Sequence, residues 1–302
     1  MSLINEKNYD IYDYKPSEID EIISKKHFEF KDTIKFLQNK CPACESEQYN
    51  FAFDKYNFHY VQCEKCMSLY IQNRISEKDF IRYEKYLMKK IYSTDKYDQY
   101  SNALSEKISS ELELTFSRLF SKNKTLDVAY LGKKSKVYKN ILKDFSISFD
   151  TIEATQGLVK NKYDLIVIDH VIEKSNDLNL LMQNINASLK ENGIIYTTMR
   201  VGSGIDILTL WGDSKVYPLE HNNLLSTDGI KFLLEKNNFI IKELNTPGVL
   251  DIDNILKTKS ENKPKFLDYL NKLDNLKAIE EFQIFVQKNL LSSFATIIAQ
   301  RG

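Results

Sequence analysis

From about residue 125 onward, short apolar runs alternate with amphipathic segments. The run Leu165–Ile168 is continuously apolar, which is typical of a parallel strand covered on both faces. The predicted strands are 125–131, 148–154, 163–169, 194–199 and 239–244, and the predicted helices are 136–145, 179–190 and 226–236. We expect the second helix to stop at Asn192-Gly193. Strands that alternate with helices predict right-handed crossovers and an α/β fold with a doubly wound, Rossmann-like sheet.

The chain before and after this region follows other patterns. Helices are predicted near Ser17, over 76–86 and over 101–121, and an apolar strand-like run, Ser293–Ala299, follows one or two helices at the end. These patterns divide the chain into an N-terminal arm (1–37), a cysteine-containing module (38–74), a helical linker (75–121), the α/β region (122–250) and a C-terminal part (251–302) whose final strand completes the α/β domain.

The cysteine module carries all four cysteines of the chain in two C-x2-C pairs. Cys41 and Cys44 form the first pair, and Cys63 and Cys66 form the second after eighteen residues rich in Tyr and Phe. This spacing is typical of a four-thiolate zinc site whose two turns are joined by a hairpin. With four protein ligands the site is closed, so we expect structural zinc in a zinc ribbon. Two disulfides would need an oxidising compartment, and a redox pair would need a single C-x-x-C.

Charge and hydropathy exclude several classes of function. The chain has 302 residues with 42 basic and 42 acidic side chains, and this balance disfavours sequence-independent nucleic-acid binding, which would need a local basic face. No run approaches eighteen apolar residues, so no membrane span is expected. Without a visible secretory signal, we expect a soluble, cytoplasmic protein. Glycine is scarce, with nine residues, although phosphate and nucleotide loops usually need it.

Candidate ligand-binding residues follow the predicted strands, since ligands of doubly wound sheets bind at the carboxyl ends of the strands. These positions hold Asp127, Ala129, Tyr130, Gly132 and Lys133 after the first strand, Glu153 after the second, Asp169, His170 and Glu173 after the third, and Arg200, Gly202 and Gly204 after the fourth. Glu153 suits the ribose hydroxyls of an adenosine cofactor, or is simply a solvated carboxylate. Asp169 begins either a site loop or a helix with acidic first-turn residues.

Two segments, 163–173 and 189–196, resemble the fourth and fifth strand motifs of class I S-adenosylmethionine-dependent methyltransferases. With the cysteine pairs and the segments 218–226, 246–251 and 289–294, the chain resembles zinc-ribbon methyltransferases of bacterial surface-polysaccharide and nucleotide-sugar biosynthesis. The resemblance implies a methyltransferase domain that binds S-adenosylmethionine. It assigns the cofactor to Asp127, Ala129, Gly132, Glu153, Asp169 and His170.

The glycine motif of that family is degenerate in this chain. The family pattern Asp-x-Gly-x-Gly-x-Gly is replaced by Asp127-Val-Ala-Tyr-Leu-Gly-Lys, with Leu131 and Lys133 at two of the glycine positions. The interval from Asp127 to Asp164 is also short for two full βα units. An alternative reading is therefore an inactive, methyltransferase-like scaffold whose cofactor cleft is filled by Tyr130, Leu131 and Lys133.

A proton acceptor is expected in the long irregular stretch after the fourth strand, where acceptor substrates bind in that family. His221 is the candidate base because histidine titrates near neutral pH, and Tyr217 is its candidate partner. His221 could instead tie down a loop through a backbone hydrogen bond. The predicted reaction is methyl transfer to a small-molecule acceptor, a sugar or nucleotide-linked sugar, in surface glycan biosynthesis, and the sequence leaves the oligomeric state open.

Overall fold

The computed structural model describes residues 34–87, 89–90, 112–120, 125–132, 135–152, 157–272 and 276–302. The strands are β1 (Ile34–Leu37), β2 (Tyr49–Lys55), β3 (Phe58–Cys63), β4 (Leu69–Ile71), β5 (Asn73–Ile75), β6 (Leu126–Leu131), β7 (Ile147–Ile152), β8 (Tyr163–Asp169), β9 (Leu189–Arg200), β10 (Asn223–Leu224), β11 (Phe239–Asn245) and β12 (Phe294–Arg301). The helices are α1 (Glu77–Leu87), α2 (Ser135–Ile141), α3 (Leu178–Ser188), α4 (Ile205–Leu210), α5 (Thr227–Lys236), α6 (Asp251–Lys257), α7 (Lys265–Lys272) and α8 (Leu276–Lys288).

The large sheet has six strands in the order β11-β12-β9-β8-β6-β7. Its centre is parallel, since β6 pairs with both β7 and β8, and β8 pairs with β9. The final strand, β12, lies antiparallel between β9 and β11. The carboxyl ends of β6, β8 and β9 therefore lie at one edge, and the predicted α/β fold with a Rossmann-like sheet is confirmed.

Strand β6 shows how the two faces of this sheet are filled, because successive side chains point to opposite faces. Val128 and Tyr130 pack with α2 and with the helical residues 112–119. Ala129 and Leu131 face the other way, into a core that includes residues of α3 and α5. The same core contains Cys41, Cys63 and Cys66, so the cysteine module packs directly onto the sheet.

The predicted end of the second helix was wrong. Helix α3 ends at Ser188, and Asn192-Gly193 lies inside β9 rather than after the helix. The pairing of β8 with β9 jumps from Tyr163 opposite Leu189 to Leu165 opposite Ile194. Asn192 has a φ of +62°, so the Asn-Gly signal marks a bulge in a strand.

The cysteine module is joined to the α/β region by a shared sheet. The hairpin predicted between the two cysteine pairs is present as β2 and β3. Its sheet has the order β10-β4-β3-β2, in which β10 comes from the chain that follows β9. Strand β5 forms a separate antiparallel pair with β1.

Two predicted helices lie wholly or partly beyond these residues. The helix predicted near Ser17 lies outside the described residues, as does the first part of the helix predicted over 101–121. Among the residues that the structure describes, none of the helices is both long and apolar enough to cross a membrane.

Candidate active site

The four cysteine sulfurs form one compact cluster. All four lie within 4.8 Å of one another, and the Sγ–Sγ distances from Cys41 to Cys66 and from Cys44 to Cys63 are 3.5 Å. Tetrahedral zinc with bonds of about 2.3 Å places its sulfurs about 3.8 Å apart, so the cluster fits this ion. Hydrogen bonding between Cys41 and Cys66 raises the pKa of the first and lowers that of the second to about 5. The lowered pKa of Cys66 favours its thiolate form, which is the form that binds a metal cation.

The second cysteine turn is built into the start of helix α5. The Ser226 hydroxyl caps α5 by accepting from the Gly229 N–H at 2.9 Å, and it donates to the Cys66 carbonyl oxygen. Ser68 Oγ accepts from the Ser226 N–H at 3.0 Å and lies 3.2 Å from Cys66 Sγ, within hydrogen-bond distance. The second cysteine turn and the helix therefore share one hydrogen-bond network.

The ends of β6 and β8 meet closely at the carboxyl edge of the large sheet. Gly132 follows β6 with a φ of +149°, which L side chains rarely adopt. A Cβ atom at this position would lie 2.8 Å from the Asp169 carbonyl oxygen and 2.7 Å from the Tyr130 hydroxyl. Glycine is therefore required here by the contact between the two strand ends.

The Asp169 carboxylate at the end of β8 is buried among hydroxyl groups. Oδ2 accepts from Tyr130 at 2.9 Å, and Oδ1 accepts from Thr198 at 2.7 Å and from Tyr138 at 3.4 Å. Only 5% of Asp169 is exposed. Its oxygens are thus turned towards side chains of β6, α2 and β9. Its predicted contact with a cofactor stays a prediction.

Two residues predicted to bind the cofactor lie elsewhere. Asp127 is the second residue of β6, at the amino end of the parallel strands, where its carboxylate binds the Lys190 ammonium group at 2.8 Å. At about 3.3 Å per residue, it lies roughly 13 Å from the end of β6. Ala129 is fully buried in the middle of that strand. Both assignments are therefore corrected. Glu153, the third residue of this set, lies outside the described residues, as does Lys133.

His170 and Glu173 form a hydrogen-bonded pair in the loop after β8. His170 Nδ1 lies 2.7 Å from Glu173 Oε1, which also accepts from the Arg200 N–H at 2.7 Å. Because Oε1 is an acceptor, Nδ1 carries the proton and donates it, and the lone pair of the neutral ring is on Nε2. Glu173 is 1% exposed, whereas 36% of the His170 side chain is accessible. His170 also has a φ of +54°, a backbone strain that is frequent at functional sites.

His221 and Tyr217 are neighbours, but their geometry differs from that of a base and its partner. His221 Nδ1 accepts from the Tyr217 backbone N–H at 3.0 Å, so the ring proton is on Nε2. Burial, with Arg200, Lys174 and His170 nearby, holds the pKa of His221 well below its usual value. In this state Nε2 carries the proton and Nδ1 is already engaged. This geometry is that of a neutral side chain in an anchored loop, and the assignment of His221 as the base stays a prediction.

Comparison with known proteins gives the family. The family described as "Methyltransferase domain" matches residues 75–244, which is more than half of the 302 residues. The chain belongs to the methyltransferase-domain family. The prediction of a class I S-adenosylmethionine-dependent methyltransferase is confirmed at this level. The match begins after the last cysteine, so the predicted zinc-ribbon subgroup and its link to polysaccharides rest on other arguments.

Solved structures of methyltransferases resemble this one at low sequence identity. An S-adenosylmethionine-dependent methyltransferase from Archaeoglobus fulgidus is 13% identical, with 72% of this chain and 100% of that chain covered and a TM-score of 0.45. Phosphoethanolamine N-methyltransferase 2 from Haemonchus contortus, in complex with phosphomonomethylethanolamine and S-adenosylhomocysteine, is 12% identical, with 77% and 62% covered and a TM-score of 0.41. No curated protein sequence matches this methyltransferase.

The carboxyl edge of the sheet is where doubly wound folds bind their ligands, and its residues are compatible with S-adenosylmethionine. Gly132 has no side chain there, and the partly exposed His170 ring follows the neighbouring strand. The Gly132 backbone and His170 would line the cofactor, and Glu153 is placed by sequence to reach its ribose. Asp169 would hold this part of the site in place through the hydrogen bonds that it accepts from three hydroxyl groups.

Several charged residues of this methyltransferase form ion pairs in these loops that sequence reasoning did not predict. Lys174 binds Glu220 at 2.6 Å, which ties the loop after β8 to the loop that carries His221. Arg200 binds the buried Asp206 at 3.0 Å and its Nε has no hydrogen-bond partner among the described residues. Only the spacing of His170 and Glu173, three residues apart, could have indicated their pairing from sequence.

Proposed function

We propose that this protein transfers the methyl group of S-adenosylmethionine to a sugar or nucleotide-linked sugar, and that His170 accepts the proton that the acceptor loses. The observation that carries the proposal is the His170–Glu173 pair at 2.7 Å, at the strand edge where class I methyltransferases bind their cofactor. The proposed setting is surface glycan biosynthesis, which rests on the resemblance of the cysteine module and of segment 218–226 to enzymes of that kind.

The chemistry of this pair suits proton removal from an acceptor. The cofactor supplies an electrophilic methyl group, and methylation of an acceptor oxygen, nitrogen or acidic carbon releases a proton. His170 Nε2 takes that proton, because Glu173 holds the other ring nitrogen as an N–H donor. The buried Glu173 carboxyl group then supports the positive ring. Such a general base contributes about 10²–10⁴-fold to a rate.

The acceptor side of the site is proposed to lie along the loop 211–223. His221 Nε2–H is available as a donor, the Tyr217 ring lies 6.1 Å from the His221 ring, and the Lys55 ammonium group lies 5.5 Å above the Tyr217 ring. Partly exposed aromatic rings, a cation and an imidazole donor suit a polyhydroxylated ligand with a negative substituent. Under this proposal the bound zinc holds the fold and takes no part in the reaction.

An inactive scaffold is the second candidate, and one observation favours it. Asp169 already accepts three hydrogen bonds from Tyr130, Tyr138 and Thr198, so a ligand is not needed to satisfy its carboxylate. Leu131 is 3% exposed and packs in the core, and Tyr130 is fully buried. A filled cleft would leave no room for the cofactor.

Two measurements on zinc-loaded protein separate these candidates. Calorimetric titration with S-adenosylhomocysteine is expected to show binding at micromolar concentration, whereas no heat and no thermal stabilisation at millimolar ligand would establish the scaffold. Methyl transfer to a panel of nucleotide sugars is then measured for His170→Gln, with His59→Gln as the control, because His59 is an exposed histidine of the cysteine module that pairs with Asp54. We expect His170→Gln to lower kcat about 10²-fold or more and His59→Gln to leave it unchanged. Equal turnover in both variants would remove His170 from the proposal.

A further inference from the structure

Arg74 is a buried arginine whose hydrogen-bond partners in the described part of the chain are all neutral. It lies in β5, at the boundary of the cysteine module, and is 2% exposed. Its guanidinium group donates to the carbonyl oxygens of Ile71, Ser175 and Asn176 at 3.1–3.4 Å, and to Asn223 Oδ1 at 2.7 Å. One rigid side chain therefore holds β4, the loop after β8 and β10 together.

Burial of a guanidinium group in a protein core has an unfavourable desolvation free energy. Burial lowers the pKa of Arg74 to about 10, which reflects the loss of water around its charge. An apolar side chain of similar volume would avoid this penalty. What arginine offers in return is a planar set of five N–H donors with fixed directions. The presence of arginine at this position points to a requirement for directional hydrogen bonds.

The geometry that Arg74 fixes is that of the loop carrying the His170–Glu173 pair. Asn223, held by Arg74 through its Oδ1, donates its Nδ2 to the carbonyl oxygens of Ile172 at 3.1 Å and Ser175 at 2.6 Å. The Asn223 backbone N–H donates to the carbonyl oxygen of Glu173 itself at 2.9 Å. Residues 172–176 are thus held by their backbone carbonyl groups from one side. A loop held in this way can keep His170 at its positive φ.

We propose that Arg74 is a positioning residue that acts through Asn223 and the carbonyl groups of residues 172–176 to keep Glu173 in hydrogen-bond contact with His170. Its consequence for catalysis rests on the proposed function of that pair. The proposed effect on the contact between Glu173 and His170 does not rest on that function, because the tautomer of His170 reports this contact without any turnover. A ring released from Glu173 shifts towards the Nε2–H tautomer, whereas the ring bound to it is held as Nδ1–H.

The test compares Arg74→Lys with the unchanged protein, both loaded with zinc. Lysine keeps the buried charge but concentrates its donors at one point, so it cannot reach the four acceptors together. The readouts are the His170 tautomer from nitrogen-15 NMR, assigned with His170→Gln, hydrogen exchange of the amides of 171–176, the affinity for S-adenosylhomocysteine, and kcat and KM. Ile255→Ala is the control for general loss of stability, since Ile255 is fully buried in the separate cluster formed by α4, α6, α7 and α8.

We expect Arg74→Lys to shift His170 towards Nε2–H, to speed exchange in 171–176 and to lower kcat about tenfold with cofactor affinity unchanged within twofold. Ile255→Ala is expected to lower the melting temperature without moving the tautomer. If Arg74→Lys does not fold, Asn223→Ser removes the donors to Ile172 and Ser175 while leaving Arg74, and the same shift is expected. An unchanged tautomer in whichever variant folds overturns the inference. If the tautomer shifts in the variant and the unchanged protein transfers no methyl group, the inference is supported and the proposed function is refuted.

Discussion

Gly229 offers a sharp test of how closely the second cysteine turn is packed against helix α5. A Cβ atom at this position would lie 2.0 Å from Ser68 Oγ, and its next neighbours would be Ser226 Oγ at 3.3 Å and Ala43 Cβ at 3.4 Å. Ser68 cannot simply rotate away, because its hydroxyl oxygen accepts from the Ser226 N–H and lies within hydrogen-bond distance of Cys66 Sγ. The Cβ atom that Gly229→Ala adds would therefore clash with Ser68 Oγ, which is held in place by its own hydrogen bonds.

The expected magnitude follows from three contributions. Alanine in a helix is favoured over glycine by about 0.5–1 kcal/mol. Forcing a methyl group into a packed site costs about 1–3 kcal/mol, and displacing a buried hydroxyl from its partners costs about 1–3 kcal/mol more. Gly229→Ala should therefore destabilise the zinc-loaded protein by about 1–5 kcal/mol. In a Ser68→Ala background the clashing atom is gone, and the same substitution should be neutral or stabilising by up to about 1 kcal/mol.

The assay is urea unfolding of the four members of this double-mutant cycle, with zinc release to a coloured chelator followed in parallel. Gly212→Ala is the matched control, because the three atoms nearest to a Cβ atom there would all belong to Phe53, at ordinary contact distances of 3.5–3.7 Å. A loss of stability from Gly229→Ala that is the same with and without Ser68 Oγ would refute the reasoning. Unchanged zinc release in Gly229→Ala would show that the packing of helix α5 does not affect how tightly the cysteines hold zinc.

Three further outcomes are expected. The lowered pKa of His221 means that the unfolded chain takes up a proton below about pH 6.5 while the folded protein does not. Stability is therefore full above pH 6.5 and falls by up to about 1.4 kcal/mol per pH unit below it, and this slope should vanish in His221→Asn when melting is followed from pH 5 to 7.5. Asp127→Asn should bind S-adenosylhomocysteine as tightly as the unchanged protein does, because Asp127 pairs with Lys190 at the opposite end of the strands. Weaker binding in calorimetry would show that Asp127 belongs to the cofactor site. Cys44→Ser should release zinc and lower the melting temperature, and metal analysis showing full zinc content would contradict a four-sulfur site.

The parts of the fold that could be predicted from sequence are those whose signals are local. The run Leu165–Ile168 marks β8, and Ser226 marks the start of α5 by its capping hydroxyl. Strand β10 has only Asn223 and Leu224, and it exists because β4 lies beside it. A two-residue strand paired with a distant segment has no periodicity that a sequence could show.

The candidate site could be predicted only in outline, for a similar reason. The sequence placed His170 at the correct edge, since the end of a buried strand is a local feature. It placed Asp127 there too, because the family's cofactor motif begins with this residue, although the predicted strand 125–131 already put Asp127 near its amino end. The proton position on His221 depends on a backbone N–H four residues earlier, and such directional contacts appear only once the loop has its conformation.

The pairing of β10 with β4 has a consequence for how such proteins can be recombined. The region that matches the family begins at residue 75, inside β5, yet it contains the strand that covers β4. A chain cut at that boundary would leave β4 with an open edge on one side and β10 without a partner on the other. Exchange of the cysteine module between relatives would therefore have to carry segment 217–226 with it, so that two stretches far apart in sequence would be inherited as one unit.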